Sequence, residues 1–310
     1  MKMLLLIGIL LAAFLGVSPE PLNSAEDESS DLSGAKHAVA IIKYAVQLSA
    51  VAQSSAQAPY CVGSKEDNVP SEVVASCENS FVTIWVENKK VDGVEYSVGS
   101  GGFITSRHIL TTDHLLLPYP AMIRDAKIVV YHGSRALKAK VLVHSYVYRL
   151  AILTLVDSDY DAIPVTISSE PTIKGSEVYI VGSSPLAQRY QRPGIFSLEP
   201  SILKRVVNMS VPSMLKKEIN GSVTYLPGYM ALIGGAEFGF SGGPGLDENG
   251  RLQSITEALS TNNRFTFVIG GTAVLDFIED VARELRSSDT DSEDAAFLED
   301  ALLSALEQGR

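Results

Sequence analysis

Ser241 sits in the run Gly239-Phe240-Ser241-Gly242-Gly243-Pro244, a hydroxyl flanked by glycines. Glycine lets the backbone approach a substrate closely and turn N–H groups toward one spot, which an oxyanion hole requires. A second segment, Gly99-Ser100-Gly101-Gly102-Phe103-Ile104, leads into Ile109-Leu110-Thr111-Thr112-Asp113-His114. A histidine at the end of an apolar strand can take a serine proton and return it to a leaving group. The serine run also satisfies the G-x-S-x-G pattern of α/β-hydrolases, so chain order has to decide. In that fold the histidine follows the serine. Here all five histidines (37, 108, 114, 132 and 144) precede Ser241, so only a histidine-before-serine arrangement is available.

The elements that must position these groups read as strands. Short alternating or β-branched runs at 81–86, 126–131, 137–143, 150–156, 177–181 and 265–269 are punctuated by Asp92-Gly93, Gly101-Gly102, Asn249-Gly250 and Gly270-Gly271. Many short strands at such spacing predict an all-β barrel or sandwich rather than alternating βαβ units. A helix over 273–286 closes the domain, and residues 36–57 and 293–307 carry apolar positions at helical spacing. Phe297, Leu298, Ala301, Leu302, Ala305 and Leu306 form the apolar face of the last of these.

The 310 residues, 46% hydrophobic and 20% charged, provide for a sizeable core and exclude a mainly disordered chain. The net charge of −11 is concentrated in the tails, with five acids and no base at 19–32 and seven acids against Arg310 alone at 287–310. A near-neutral body has no electrostatic footprint for nucleic acid. Lys2 followed by the apolar stretch 4–17 reads as an export signal, because about fourteen apolar residues fall short of the roughly twenty that span a bilayer. The expected localisation is therefore exported (periplasmic, secreted or lumenal), with a membrane anchor formed by residues 4–17 as the alternative. Cys61 and Cys77 lack metal spacing and have no nearby histidine, so zinc is rejected; in an exported chain they are a disulfide candidate. No metal or cofactor is expected. The chain divides into 1–24 (signal peptide or membrane anchor), 25–78 (acidic linker, helix and cysteine segment), 79–286 (main domain) and 287–310 (acidic tail with a short amphipathic helix).

Over roughly residues 80–280 the sequence resembles the trypsin-like serine proteases, closest to the HtrA/Deg type. The match rests on the glycine-rich strand before His114, the apolar strand Leu150-Ala151-Ile152-Leu153, Gly175 to Gly182, and Ser241-Gly242-Gly243-Pro244. The resemblance implies a chymotrypsin-like double β-barrel with a C-terminal helix, here with an extra N-terminal helix. It implies a polypeptide substrate, His114 as general base, Ser241 as nucleophile, and the N–H groups of Gly239 and Ser241 as the oxyanion hole. Phe240 replaces the aspartate that pairs with a new N-terminus in trypsin, so zymogen-style switching is not expected. Gly235 falls where trypsin carries its acidic pocket residue, predicting a neutral, small or apolar side chain at the cleavage site, with Glu257 on a later strand as a complication. A downstream PDZ domain is not expected in the 24 residues after Arg286.

One position departs from the family. Its orienting aspartate belongs just before the apolar strand, and this chain reads Arg149-Leu150-Ala151 there. No Asp or Glu occurs from 127 to 156. Asp157 is about 26 Å along the strand and out of reach, Asp159 and Asp161 are no nearer, and Asp113 is expected to point to the opposite side. Asp92 and Glu95 of the preceding hairpin, a carboxylate from another loop, or a Ser–His dyad without one are the alternatives. Loss of that carboxylate is associated with about 10⁴ in kcat, roughly 5 kcal/mol, and a cation in its place opposes protonation of His114. Two readings follow: a serine endopeptidase with unconventional support, or a catalytically inactive, protease-like peptide-binding module. Oligomeric state is not legible.

Overall fold

Runs of β-branched and aromatic residues extend the chain wherever turn residues release it. In the computed structural model the described residues are 61–63, 68–90, 93–116, 127–133, 135–156, 159–183, 200–210, 216–219, 222–225, 228–260, 262–288 and 292–308. The first part comprises β1 (Val62–Gly63), α1 (Ser71–Ser80), β2 (Phe81–Lys90), β3 (Gly93–Phe103), β4 (His108–Thr112), a 3₁₀ turn (Asp113–Leu116), β5 (Lys127–His132), β6 (Arg135–Ser145) and β7 (Leu150–Leu155). Strands β2 to β7 close into a barrel in the order β2-β3-β4-β7-β6-β5. The period-2 geometry of β2 turns Val82, Ile84 and Val86 inward, where they meet Phe103, Ile109, Val130 and Leu153. Both β4 and β7 are buried along their whole length, so their few polar residues, His108, Thr111, Thr112 and Thr154, are enclosed with the aliphatic ones.

The second part contains β8 (Glu177–Gly182), β9 (Ser201–Ser210), β10 (Lys216–Ile219), β11 (Ser222–Tyr225), β12 (Tyr229–Ile233), β13 (Pro244–Leu246), β14 (Leu252–Leu259) and β15 (Phe265–Gly270). Six of these run β9-β12-β15-β14-β13-β8, and pairing of β8 with β9 closes the ring. The β10–β11 pair is a separate hairpin. The chymotrypsin-like double barrel is thus the observed fold. Closure of both rings removes the free edges that open sheets must protect.

Two helices follow, α2 (Gly271–Ser288) and α3 (Glu293–Gln308). Val274, Phe277, Ile278 and Val281 of α2 enter the same core cluster as Ile255 and Ile269 of the second barrel. Leu298 and Ala305 of α3 join it, and Arg286 of α2 meets Glu299 of α3 at 2.8 Å. At its other side α3 reaches the first barrel, where His108 Nε2 lies 3.1 Å from Asp294 Oδ1. A disulfide between Cys61 and Cys77, Cα atoms 6.1 Å apart, ties the segment at β1 to α1. The signal or anchor segment 1–24, the helix expected at 36–57 and Asp92 lie outside the described residues. Among the described residues no helix is long and apolar enough to cross a membrane.

Candidate active site

Two consecutive tight turns carry Ser241. Phe240 N–H donates to the Glu237 carbonyl at 3.2 Å, and Gly243 N–H donates to the Phe240 carbonyl at 2.8 Å. The third residue of each turn is a glycine with positive φ, +97° at Gly239 and +84° at Gly242. A type II turn demands that combination, and it fixes which way the middle peptide faces. The Phe238–Gly239 amide is therefore turned over relative to a type I turn, and Ser241 occupies the second position of the following turn.

The turns are clamped from the first barrel by Ser100. Its N–H donates to the Ser241 carbonyl at 2.8 Å, and its hydroxyl donates to the Gly239 carbonyl at 2.7 Å. Thr111, three residues before His114, donates its hydroxyl to the Ser100 carbonyl at 2.7 Å. Contact at this seam is close: a β-carbon on Gly242 would stand 2.0 Å from Thr111 Oγ1 and 2.2 Å from the Ser100 carbonyl oxygen. The glycines around Ser241 are needed for conformation at Gly239 and Gly242 and for space at Gly242 and Gly243, where a β-carbon on Gly243 would stand 1.9 Å from the Val181 carbonyl oxygen. Sequence reasoning identified the glycines but missed the clamp, for which the only signal was a serine inside a glycine-rich strand.

His114 sits in the 3₁₀ turn after β4, 31% exposed, with Nδ1 3.5 Å from Glu257 Oε1. Glu257 belongs to β14 of the other barrel and is 7% exposed. The ladder with β15 pairs Thr256 with Val268 and Ala258 with Phe267, leaving Glu257 as the extra residue of a β-bulge. Bulges re-aim a side chain that regular alternation would send elsewhere. The neighbouring Thr256 exchanges backbone hydrogen bonds with the serine loop, to Gly242 at 2.7 Å and Gly243 at 2.9 Å. One short stretch of β14 therefore holds the Ser241 loop and meets His114.

Arg149 completes the cluster. Its Nη2 is 3.0 Å and its Nε 3.3 Å from Glu257 Oε1, while Nε is 3.6 Å from Asp113 Oδ1. Asp113 is 1% exposed, and its N–H donates to the Arg149 carbonyl at 3.1 Å. Arg149 itself has φ +60°, a left-handed conformation uncommon outside glycine. Burial pushes the Asp113 carboxyl above its ordinary range, with Arg149 opposing. Burial also acts upward on Glu257, but its contacts with His114 and Arg149 outweigh that and hold it below the ordinary glutamate range. The Tyr229 hydroxyl, raised by burial and by the Glu257 charge, borders the same group. Asp113 thus does not turn away from the site, as expected from its position beside His114, but faces the guanidinium. Arg149 does not stand as an isolated cation: it meets the Glu257 carboxylate at 3.0 Å and the Asp113 carboxyl at 3.6 Å.

A sequence profile of the trypsin-like peptidase domain matches residues 99–255. The chain belongs to the trypsin-like peptidase family. Among solved structures it is similar to the active form of the Rv3671c protease from M. tuberculosis, at 18% identity and TM-score 0.52, covering 73% of this chain and 92% of that one. An inactive form of the Rv3671c protease matches at 19% identity and TM-score 0.50, covering 67% and 92%. At such identity the likeness concerns the fold. No curated protein matches the chain.

Elsewhere in this trypsin-like peptidase domain, Phe240 is fully buried, and its ring would collide at 2.2 Å with a β-carbon on Gly182. An apolar anchor holds the serine loop where trypsin uses an ion pair. At Gly235 the space for a side chain is filled by Asn263, 2.1 Å from an ideal β-carbon, and the Gly235 carbonyl accepts from Arg205 Nη2 at 2.6 Å. Glu257 is committed to His114 and Arg149 rather than complicating that pocket. Phe238, at the turn before Gly239, is 70% exposed. Among the described residues no group of three or more His, Cys, Asp or Glu side chains is placed to hold a metal ion.

Proposed function

We propose that the protein is a serine endopeptidase in which Ser241 is the nucleophile and His114 the general base. The Ser241 Oγ–H proton passes to His114 Nε2 as Oγ bonds to the scissile carbonyl carbon. Collapse of the tetrahedral adduct breaks the C–N bond, and the same proton goes to the departing amine. Water, deprotonated by His114, then releases the acyl group and restores the serine. The N–H groups of Gly239 and Ser241 stabilise the oxyanion. The observation that carries this reading is the seam itself: the type II turn at Gly239, the Ser100 clamp on the Gly239 and Ser241 carbonyls, and Thr111 of the histidine-bearing segment packed against Gly242. Such an arrangement preorganises donors and nucleophile before substrate arrives.

A neutral P1 side chain is proposed from the absence of an acidic group at Gly235. Export is proposed from the apolar N-terminus and from the Cys61–Cys77 disulfide, a bond that persists in oxidising compartments. The test of the activity is labelling by a fluorophosphonate, which reacts with activated serines. Wild-type protein is expected to be labelled at Ser241, and Ser241→Ala to be unlabelled. Folded wild type that resists the reagent while binding peptide would instead identify an inactive peptide-binding module.

A further inference from the structure

We propose that Glu257 is the positioning residue for His114, supplying from the second barrel the carboxylate that the family places in the first, with Arg149 holding it there. The inference deepens the serine-peptidase reading and rests on it. Three observations converge. Glu257 is the acidic side chain brought to His114 Nδ1, at 3.5 Å. It is the extra residue of a bulge, in a strand whose residues from Leu252 to Thr256 are otherwise uncharged. Finally, Arg149, at the family's usual carboxylate position, grips the very oxygen that faces the imidazole. The carboxylate comes from the second barrel and a cation stands at its usual place in the first, while the group that faces the imidazole is still an acid.

The chemistry follows from the contact. A carboxylate against Nδ1 keeps the neutral ring protonated on that nitrogen, so Nε2 presents its lone pair to Ser241. When Nε2 takes the serine proton, the imidazolium forms beside the Glu257 carboxylate rather than beside a bare guanidinium. A separation of 3.5 Å is a loose contact of the kind that tightens in a substrate or transition-state complex. Arg149 prevents Glu257 from taking up a proton in its buried site, and Asp113 on the far side of Arg149 keeps the guanidinium from dominating the field.

The test compares wild type, Glu257→Gln, Glu257→Asp, Asp113→Asn and His114→Ala, using saturation kinetics of fluorophosphonate labelling and the low-field region of the proton NMR spectrum. The expected result for Glu257→Gln is a fall of about 10³ to 10⁴ in the limiting rate of labelling, with the reagent's half-saturation concentration changed less than threefold. Wild type is expected to show a low-field ring-proton resonance that is absent in His114→Ala and lost in Glu257→Gln. Glu257→Asp, which keeps the charge on a shorter side chain, is expected to show between about a tenth and a half of the wild-type rate. If Glu257→Gln fails to fold, Glu257→Asp carries the kinetic arm, and an unchanged rate and resonance despite its shorter reach would overturn the proposal. Wild-type labelling in Glu257→Gln, with the loss appearing in Asp113→Asn, would overturn it in favour of Asp113. Unlabelled wild type would end the peptidase reading alone: the resonance still reports the His114–Glu257 contact, and its survival in Glu257→Gln refutes the positioning role.

Discussion

Replacing Arg149 by methionine removes the guanidinium from between two buried carboxylates and leaves a side chain of similar length. At separations of 3.0 and 3.6 Å, with an effective dielectric near 20, each contact has a gross Coulomb worth of about 5 kcal/mol. That overstates the net effect, because Arg149 is 34% exposed and solvent screens it. Stripping the counterion from a buried pair costs about 3–5 kcal/mol, and the exposure argues for the lower end, about 3. The sign of the pH dependence is fixed by the carboxylates. In wild type Glu257 lies below its ordinary value, so its contribution is full above pH 4.5 and lost as pH falls. In Arg149→Met both acids are raised above their unfolded values, so the penalty is present at neutral pH and shrinks as acid protonates them. Urea unfolding at pH 7.5 and pH 5 is the assay, read as a midpoint shift at constant slope. The deficit is expected to be about 3 kcal/mol at the higher pH and at most half of that at the lower. Arg149→Gly loses the same charge but suits φ +60°, and should be about 1 kcal/mol more stable than Arg149→Met. A deficit under 1 kcal/mol, or one equal at both pH values, would refute the view of Arg149 as a buried counterion.

Other perturbations probe the seam and the C-terminal helix. Gly242→Ala forces a β-carbon to within 2.0 Å of Thr111 Oγ1 at a positive φ, and should abolish Ser241 labelling and destabilise by about 2 kcal/mol or more, read by labelling and urea unfolding; a fully active variant would show that the barrels do not meet there as described. His108, buried against Asp294 with Thr105 on its other nitrogen and Arg107 and Glu293 nearby, is held below its ordinary value chiefly by burial. Its contribution is therefore full above pH 6.5 and lost as pH falls through the folded value. Protection of the amides in residues 293–308 against exchange should fall selectively as pH drops below 6.5, and pH-independent protection of α3 would refute the coupling.

What the sequence made legible follows from the range over which each feature is encoded. The strands, the helices α2 and α3 and the two glycine-flanked segments are local patterns, so they could be read directly. The order of His114 before Ser241 is a linear property and excluded the competing hydrolase fold without any coordinates. Within the first barrel a strand reach of about 3.3 Å per residue limits which carboxylates can meet His114. Glu257 escapes that limit because barrel closure and a single-residue bulge bring it to His114. Neither can be read from the spacing of residues along the chain. The position of Asp113 departs from the sequence expectation for a related reason. Strand alternation sends neighbours to opposite faces, but residues 113–116 are a 3₁₀ turn, where that rule lapses.

Placing the orienting carboxylate on the second barrel changes what the histidine depends on. In a one-barrel arrangement the imidazole and its partner move together even if the barrels shift. Here the His114–Glu257 contact spans the seam, as do the Ser100–Ser241 and Ser100–Gly239 hydrogen bonds. Arg149 is the tie that makes such an arrangement workable, because it leaves the first barrel and binds the same oxygen of Glu257 that faces His114. The serine loop is fastened to the backbone of Thr256 immediately beside that carboxylate, so a displacement of β14 moves nucleophile support and base support together. Stability of the seam and competence of the site are therefore one physical property in this protein. Substitutions at Arg149, Glu257 or Gly242 should lower both together, whereas a cavity in the first-barrel core at Val82 or Leu153 should lower stability and leave labelling of the folded protein intact.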